Sequence, residues 1–407
     1  MSNPSQQEDR EFQTSKINYS LWEMVLYMLK LGAIGFGGPI ALIGYMHRDL
    51  VEQKKWISES EYAEGLALAQ LAPGPLAAQM GIYLSYVHYG ILGATIGGIA
   101  FILPSFFMVV TLGWVYVQYG GISWMQAVFY GVGACVIGII ANSAYKLTQK
   151  MIKGTLVWII YLISISITVI TESEIIWTFL LAGVLVWFAE APPKNWFQGN
   201  KSLSIAPLFL LTQATTTVAQ EGILWKILLY FSQAGAFVFG SGLAIVPFLY
   251  GGVVKDFQWL TDKQFVDAVA VAMITPGPVV ITTGFIGFLV AGLSGSVVAA
   301  LGTFIPCYLF TILPAPYFKK YGKLPGIAAF VKGVTVAATG AITGAVIVLA
   351  KRSLIDIPTV AISLVSIALL WKFKKKLPEP LLVLGAAIAG LILYPLVGYF
   401  HFLSLLS

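Results

Sequence analysis

Two Pro-Gly-Pro triplets, Pro73-Gly74-Pro75 and Pro276-Gly277-Pro278, sit in strongly apolar surroundings. A helix must break at each, because proline removes a backbone donor and clashes with the preceding turn while glycine permits unusual dihedrals. Two further interruptions read the same way, Gly35-Phe36-Gly37-Gly38-Pro39 and Phe239-Gly240-Ser241-Gly242. A helix that restarts after a break places proline at its first position and exposes unpaired N–H groups. Those amides, with the positive end of the helix dipole, make an anion site without any charged side chain. Hydroxyl and amide side chains stand beside the breaks: Gln70, Gln79, Ser241, Thr275, Thr282 and Thr283. A hydroxyl in a membrane helix also commonly bonds its own backbone, so each of these has a purely structural reading too.

Few ionisable groups enter the apolar stretches, which makes those that do functional candidates. Lys30 lies two turns before the Gly37 break, where it either attracts an anion or snorkels to the interface. Glu64 and Asp267 are equivalent carboxylates two to three turns before each Pro-Gly-Pro. They are candidates for proton coupling, or they satisfy helix N-termini. His47 and Arg48 read as interfacial, and His88, Asn142, Cys135 and Cys307 as packing residues. No HExxH, GxSxG, paired-acid or GxxxxGK[ST] motif is present, so neither an enzyme nor an ATP-driven pump is expected, and no cofactor or metal.

The elements that must position these residues are membrane helices. Of 407 residues, 58% are hydrophobic and 10% charged, against roughly a quarter charged in soluble domains. The predicted fold class is an all-α polytopic membrane bundle with two inverted-topology repeats and broken helices. Basic residues fall in short loops, as topology signals and not a nucleic-acid footprint. Residues 1–20 are polar and read as a cytoplasmic tail. Apolar runs of spanning length cover 21–47, 64–87, 89–118, 123–146, 153–171 and 174–190, then 224–248, 266–290, 292–317, 326–350, 355–372 and 379–403. A first repeat is therefore expected over 21–190 and a second over 224–403, joined by a linker, 191–223, that holds a weaker apolar run at 204–220. Ser58 with Glu61, and Thr261 with Gln264, form capping boxes that start the helices leading to each Pro-Gly-Pro.

A shift of 203 residues superposes Phe36 on Phe239, Trp56 on Trp259, Glu64 on Asp267 and the first Pro-Gly-Pro on the second. After one deletion the shift becomes 202, pairing Gly90 with Gly292, Pro104 with Pro306, Gly131 with Gly333 and Gly138 with Gly340. Equivalent loops have opposite charge preference: 118–122 is uncharged where its partner holds Lys319, Lys320 and Lys323. By the positive-inside rule the halves are inverted. Inversion after six spans needs one extra crossing, for which 204–220 is the available segment, giving thirteen spans with the N-terminus inside. Two basic loops disagree, 47–63 and 351–355. The first changes face if 58–88 is a re-entrant hairpin, and in that case the count falls. Inverted repeats meeting at mid-depth are a recurring plan of secondary transporters.

With these residues assembled, the chain resembles the long, two-domain members of the chromate ion transporter family. The likeness lies in GFGGPIALIGYMHRDLVEQKKWIS (35–58), ALAQLAPGPLAAQMGIYLSYVHYGILGA (67–94) and ILPSFF (102–107), and recurs in FGSGLAIVPF (239–248), ITPGPVVITTGFIGFLVAGL (274–293) and GTFIPCYLF (302–310). It extends over most of 21–350. Carried over by motif are Gly37, Gly38, Pro39, Pro73, Gly74, Pro75, Gly240, Gly242, Pro276, Gly277 and Pro278. Leu76 departs from members with asparagine directly after the first Pro-Gly-Pro. The resemblance implies efflux of chromate across a bacterial cytoplasmic membrane, conferring resistance. A sulfate-like oxyanion carrier and an anion channel are the alternatives. Proton or counter-anion coupling and a homodimer stay open.

Overall fold

The computed structural model describes residues 18–36, 38–119, 123–172, 175–192, 222–237, 239–240, 245–321, 325–373 and 379–404. The first repeat runs α1 (Leu21–Ile34), α2 (Gly38–Met46) with a π-helical turn to Gln53, α3 (Glu59–Leu71), α4 (Leu76–Tyr119), α5 (Ser123–Met151), α6 (Thr155–Thr171) and α7 (Ile176–Glu190). The second runs α8 (Ile223–Phe237), α9 (Ile245–Tyr250), α10 (Asp262–Ile274), α11 (Thr282–Ile312), α12 (Ala315–Tyr321), α13 (Pro325–Ser353), α14 (Ile357–Phe373) and α15 (Glu379–Ser404). The fold is all-α, apart from a two-residue parallel bridge between β1 (Gly74–Pro75) and β2 (Phe239–Gly240). Among the described residues, five helices are long and apolar enough to cross a membrane, and four shorter ones are also apolar. Both expected capping boxes are formed, and a third joins Ser20 to Glu23.

Each repeat opens with two helical hairpins. In the first, α1 climbs from Tyr19 to Gly35 and the chain returns through α2, so that Trp56 stacks on Tyr19 at 4.6 Å. Halfway down, the Tyr27 hydroxyl donates to Asp49 Oδ2 at 3.3 Å. In the second, α3 and the first arm of α4 run side by side from the Pro-Gly-Pro tip. His88 Nε2 meets Glu61 Oε1 at 3.1 Å at the base. Helix α3 has 13 residues, about 20 Å of rise against roughly 30 Å of hydrocarbon. It therefore reaches only part-way across. At Gly90, with φ 57°, the chain reverses again, and residues 91–119 form the first full crossing. The second repeat copies this plan: Tyr230 stacks on Phe248, and Gly292 (φ 62°) reverses α11.

These hairpins correct the expected spans. Segments 21–47, 64–87, 224–248 and 266–290 do not cross; each turns back at its glycine-containing break, and the count of thirteen falls. Tolerance of such breaks at depth follows from neighbours that take over the freed backbone groups. The extra crossing expected at 204–220 lies outside the described residues, as do most of the N-terminal tail and most of the linker.

The second arm of α4 reports how the hairpins face. It starts beside the base of the first-repeat hairpin, passes Gly277 at Ser105, and reaches Asp267 and Phe285 at Tyr116. The two Pro-Gly-Pro hairpins thus point at each other from opposite ends of one crossing helix. Arg48, Lys54, Lys55, Lys146, Lys153 and Lys372 gather at one end, which is the basic end. Loop 47–63 belongs to that end once the hairpins are recognised, so its charges no longer disagree. At the opposite end Arg352 is held by Glu172 and Asp262.

The later helices are exchanged between repeats. Helices α6 and α7 pack on α13, while α14 and α15 pack on α5. Glycines at the crossings bring backbones into contact. A Cβ on Gly333 would lie 2.3 Å from the Ala182 carbonyl oxygen, and one on Gly131 only 1.9 Å from that of Ala386. Small residues at helix interfaces are how membrane helices approach closely without a hydrophobic driving force.

Candidate functional site

The four helix breaks meet in two pairs, each across the repeats. Gly74 pairs with Phe239 and Pro75 with Gly240 as neighbouring parallel strands, joining the first repeat's Pro-Gly-Pro to the second repeat's other break. The reciprocal pairing is a hydrogen bond: Gly277 N–H donates to the Gly35 carbonyl at 2.9 Å. Each tip therefore rests on the opposite repeat. Gly74 and Gly277 have φ of 141° and 93°, conformations that side chains rarely adopt. A Cβ at either would also strike a neighbour. At Gly74 it would meet Gln79 at 2.7 Å and Cys307 Sγ at 3.2 Å, and at Gly277 it would meet Ser105 Oγ at 2.8 Å.

Ser105 and Cys307 are repeat equivalents, each following a proline that the internal alignment pairs, Pro104 and Pro306. They had no chemical signal of their own. The signal that could have found them was position: each lies directly after a matched proline, half-way along a crossing helix.

Among the polar candidates, Thr275, Thr282 and Thr283 donate to carbonyls of their own helical turns, at 2.7, 2.7 and 3.1 Å. Their protons are spent locally, leaving lone pairs only. Gln79 is fully buried. Its Nε2 donates to the Pro73 carbonyl at 2.8 Å, which caps the end of α3, while its Oε1 has no partner among the described residues. Gln70 is exposed and stands apart from the site. Gly38 and Pro39 open α2. Gly37, Ser241 and Gly242 lie outside the described residues.

The two equivalent carboxylates differ in setting. Asp267 is buried and accepts a hydrogen bond from Tyr116, across the repeat boundary, at 2.8 Å. Glu64 is half-buried and partnered by Tyr83 of its own hairpin. Tyr116 was not singled out by sequence, because nothing local marks it.

Lys30 lines a cavity of about 1010 Å³. This cavity runs along the first hairpin from Lys54 and Trp56 at the basic end to Gly35 and Phe36 at the break, with Pro380, Leu381 and Leu384 of α15 opposite. Arg48 also lines it but is engaged by Asp49 at 2.7 Å, and Lys54 lies 4.2 Å over the Trp56 ring. No described residue hydrogen-bonds or ion-pairs the Lys30 ammonium. Among the described residues that line the cavity, Lys30 is thus the cation without a partner.

The cavity lined by Lys30, Arg48 and Lys54 ends at Gly35, the break that is paired with Gly277. The family model described as Chromate transporter matches residues 22–187 and again 225–391. The chain is 66% identical to a chromate transport protein of Cupriavidus metallidurans over 94% of this chain and 95% of the relative. It is 63% identical to a probable chromate transport protein of Synechococcus elongatus, covering 92% and 96%. Identity is 27% to a chromate transport protein of Pseudomonas aeruginosa, covering 97% and 98%. No solved structure matches.

Proposed function

The chain belongs to the chromate transporter family, and we propose that it exports chromate from the cytoplasm as a secondary carrier in the cytoplasmic membrane. The observation that carries this reading is the pairing of helix breaks across the repeats, Gly74 with Phe239 and Gly277 with Gly35. The N-termini of helices that restart after such breaks suit a tetrahedral oxyanion through the helix dipole, without the desolvation cost of a buried cationic side chain. The basic end faces the cytoplasm by the positive-inside rule, so the Lys30 cavity supplies the anion from that side.

Export needs no nucleotide. Moving a dianion out of a negative interior releases about 4.6 kcal/mol per 100 mV, from about 2.3 per charge. Import would have to be coupled to protons or to a counter-anion, and Asp267 and Glu64 are the groups available for protons.

The test is flux of radiolabelled chromate and sulfate in inside-out vesicles, with and without a proton gradient. Chromate uptake accelerated by chromate loaded on the opposite side supports the carrier. Uptake indifferent to opposite-side anion would make the protein a channel, and sulfate preferred over chromate would reassign the cargo.

A further inference from the structure

We propose that Arg352, Glu172, Lys255 and Asp262 form an outer gate of the transport path, closed in this structure, which has to part on every transport cycle. This rests on the carrier reading above but not on the identity of the anion.

The four groups come from four elements of both repeats. Glu172 follows α6 in the first repeat, whereas Lys255 lies in the π-helical turn after α9, Asp262 opens α10 and Arg352 ends α13. Arg352 spans two of them, with Nη2 at 2.5 Å from Glu172 Oε2 and Nη1 at 2.5 Å from Asp262 Oδ1. The Lys255 ammonium also holds Glu172. Tyr250 donates to Asp262 at 2.5 Å and carries the guanidinium 5.3 Å over its ring. Lys255 and Asp262 stand at the bases of the two hairpins whose tips hold the second repeat's breaks. Glu172 and Arg352 belong to the exchanged pair α6 and α13. The network therefore fastens the hairpins that carry the site to the helices that surround them. Side-chain exposure runs from 26% to 46%, so water reaches every member. Ion pairs of that kind separate far more readily than buried ones, as a gate requires.

The other end of the molecule carries the second observation. The repeat shift of 203 takes Lys255 and Asp262 to Glu52 and Glu59, and that of 202 takes Arg352 and Glu172 to Lys150 and Lys374. In the sequence the signs are complementary again, two acids in one pair of positions and two bases in the other. In this structure, however, both acids are held by His47 of the same repeat, at 3.2 and 3.0 Å. The cavity stands beside them, with Gln53 and Lys54 on one wall and Pro380 and Leu381, which follow Lys374 by a few residues, on the other. The side chains of Lys150 and Lys374 lie outside the described residues. The outer cluster ties the second repeat's hairpin bases to α6 and α13, whereas at the other end a cavity lies between the first hairpin and α15, and that asymmetry is what one of the two states of alternating access demands.

Bridging the outer pair tests the gate. Glu172→Cys with Arg352→Cys is expressed in the full chain and joined by a cleavable, membrane-impermeant bifunctional thiol reagent applied from outside. Both native cysteines are buried and should escape it, and treated wild type controls for that. Chromate flux lost on bridging and restored by cleaving the linker is the expected result. Flux that persists in the bridged protein overturns the gate while leaving the carrier reading intact. Absence of counterflow in untreated wild type would instead overturn the carrier reading. If the first pair does not fold, Glu172→Cys with Lys255→Cys is read in the same way, with the same two outcomes.

Discussion

Gly277 of the second repeat donates its amide hydrogen to the carbonyl of Gly35 in the first, at 2.9 Å. That bond joins two helix breaks from different halves of the chain, so the shape of one repeat's tip depends on the other's. It sets the first expectation. Gly277→Ala, alone or with Pro276→Ala, meets both a φ of 93° and Ser105 Oγ at 2.8 Å from the added carbon. The strain is worth about 1–3 kcal/mol. Transport should be abolished while the protein still reaches the membrane, and wild-type flux would remove the junction from the mechanism.

The exchanged helices predict a different kind of failure. Gly131→Ala and Gly333→Ala force apart backbones already in contact, at a cost of about 1–3 kcal/mol each. Thermal unfolding in detergent should show the loss. Gly44→Ala is the control, because nothing lies within 4 Å of a Cβ there. Equal melting temperatures for all three would mean that the exchange does not stabilise the fold.

Lys30→Gln removes the free cation from the cavity. We expect a raised KM for chromate with kcat nearly kept, by roughly fivefold for an interaction of about 1 kcal/mol in a wet cavity. Lys30→Arg should retain most of the affinity. An unchanged KM would make Lys30 an interface anchor.

Proton coupling separates the two carboxylates. Asp267 is buried with Tyr116 as its donor, and Glu64 is half-buried beside Tyr83. Asp267→Asn should alter the pH dependence of flux more than Glu64→Gln does, and Tyr116→Phe should alter it in part. Superimposable pH profiles in all three variants would assign both acids to structure.

Acid should loosen the outer cluster. The Lys255 ammonium, with Arg352, holds the Glu172 carboxyl below its usual range. A carboxyl depressed in the folded state stabilises at pH values above its unfolded pKa, and that contribution fades as pH falls through the lowered value. Because the group is largely exposed, the contribution is about 1 kcal/mol or less. Wild type should therefore melt above Glu172→Gln at neutral pH, and the difference should vanish in acid. A gap that widens in acid would contradict the pairing.

Much of the site was legible because it is written in local chemistry. Prolines and glycines dictate where a helix stops, and Ser58 with Glu61 and Thr261 with Gln264 dictate where one starts. The internal repeat exposed their duplication. Direction was not legible. An apolar run is equally apolar whether it crosses or turns back, so 21–47 read as one span and the reversal at Gly90 passed unnoticed inside a hydrophobic stretch. Once those reversals are known, the basic loop at 47–63 falls on the basic end, and the remaining anomaly at Arg352 becomes a paired charge.

By itself, then, the order of residues determined that this is a duplicated membrane protein with four helix breaks, since breaks and caps arise from neighbours along the chain. Only the tertiary structure decided that the breaks touch across repeats, that Ser105, Cys307 and Tyr116 attend them, and that α6, α7, α14 and α15 are exchanged. Those relationships join residues far apart in the chain, and they depend on where helices reverse and how closely glycine lets backbones approach.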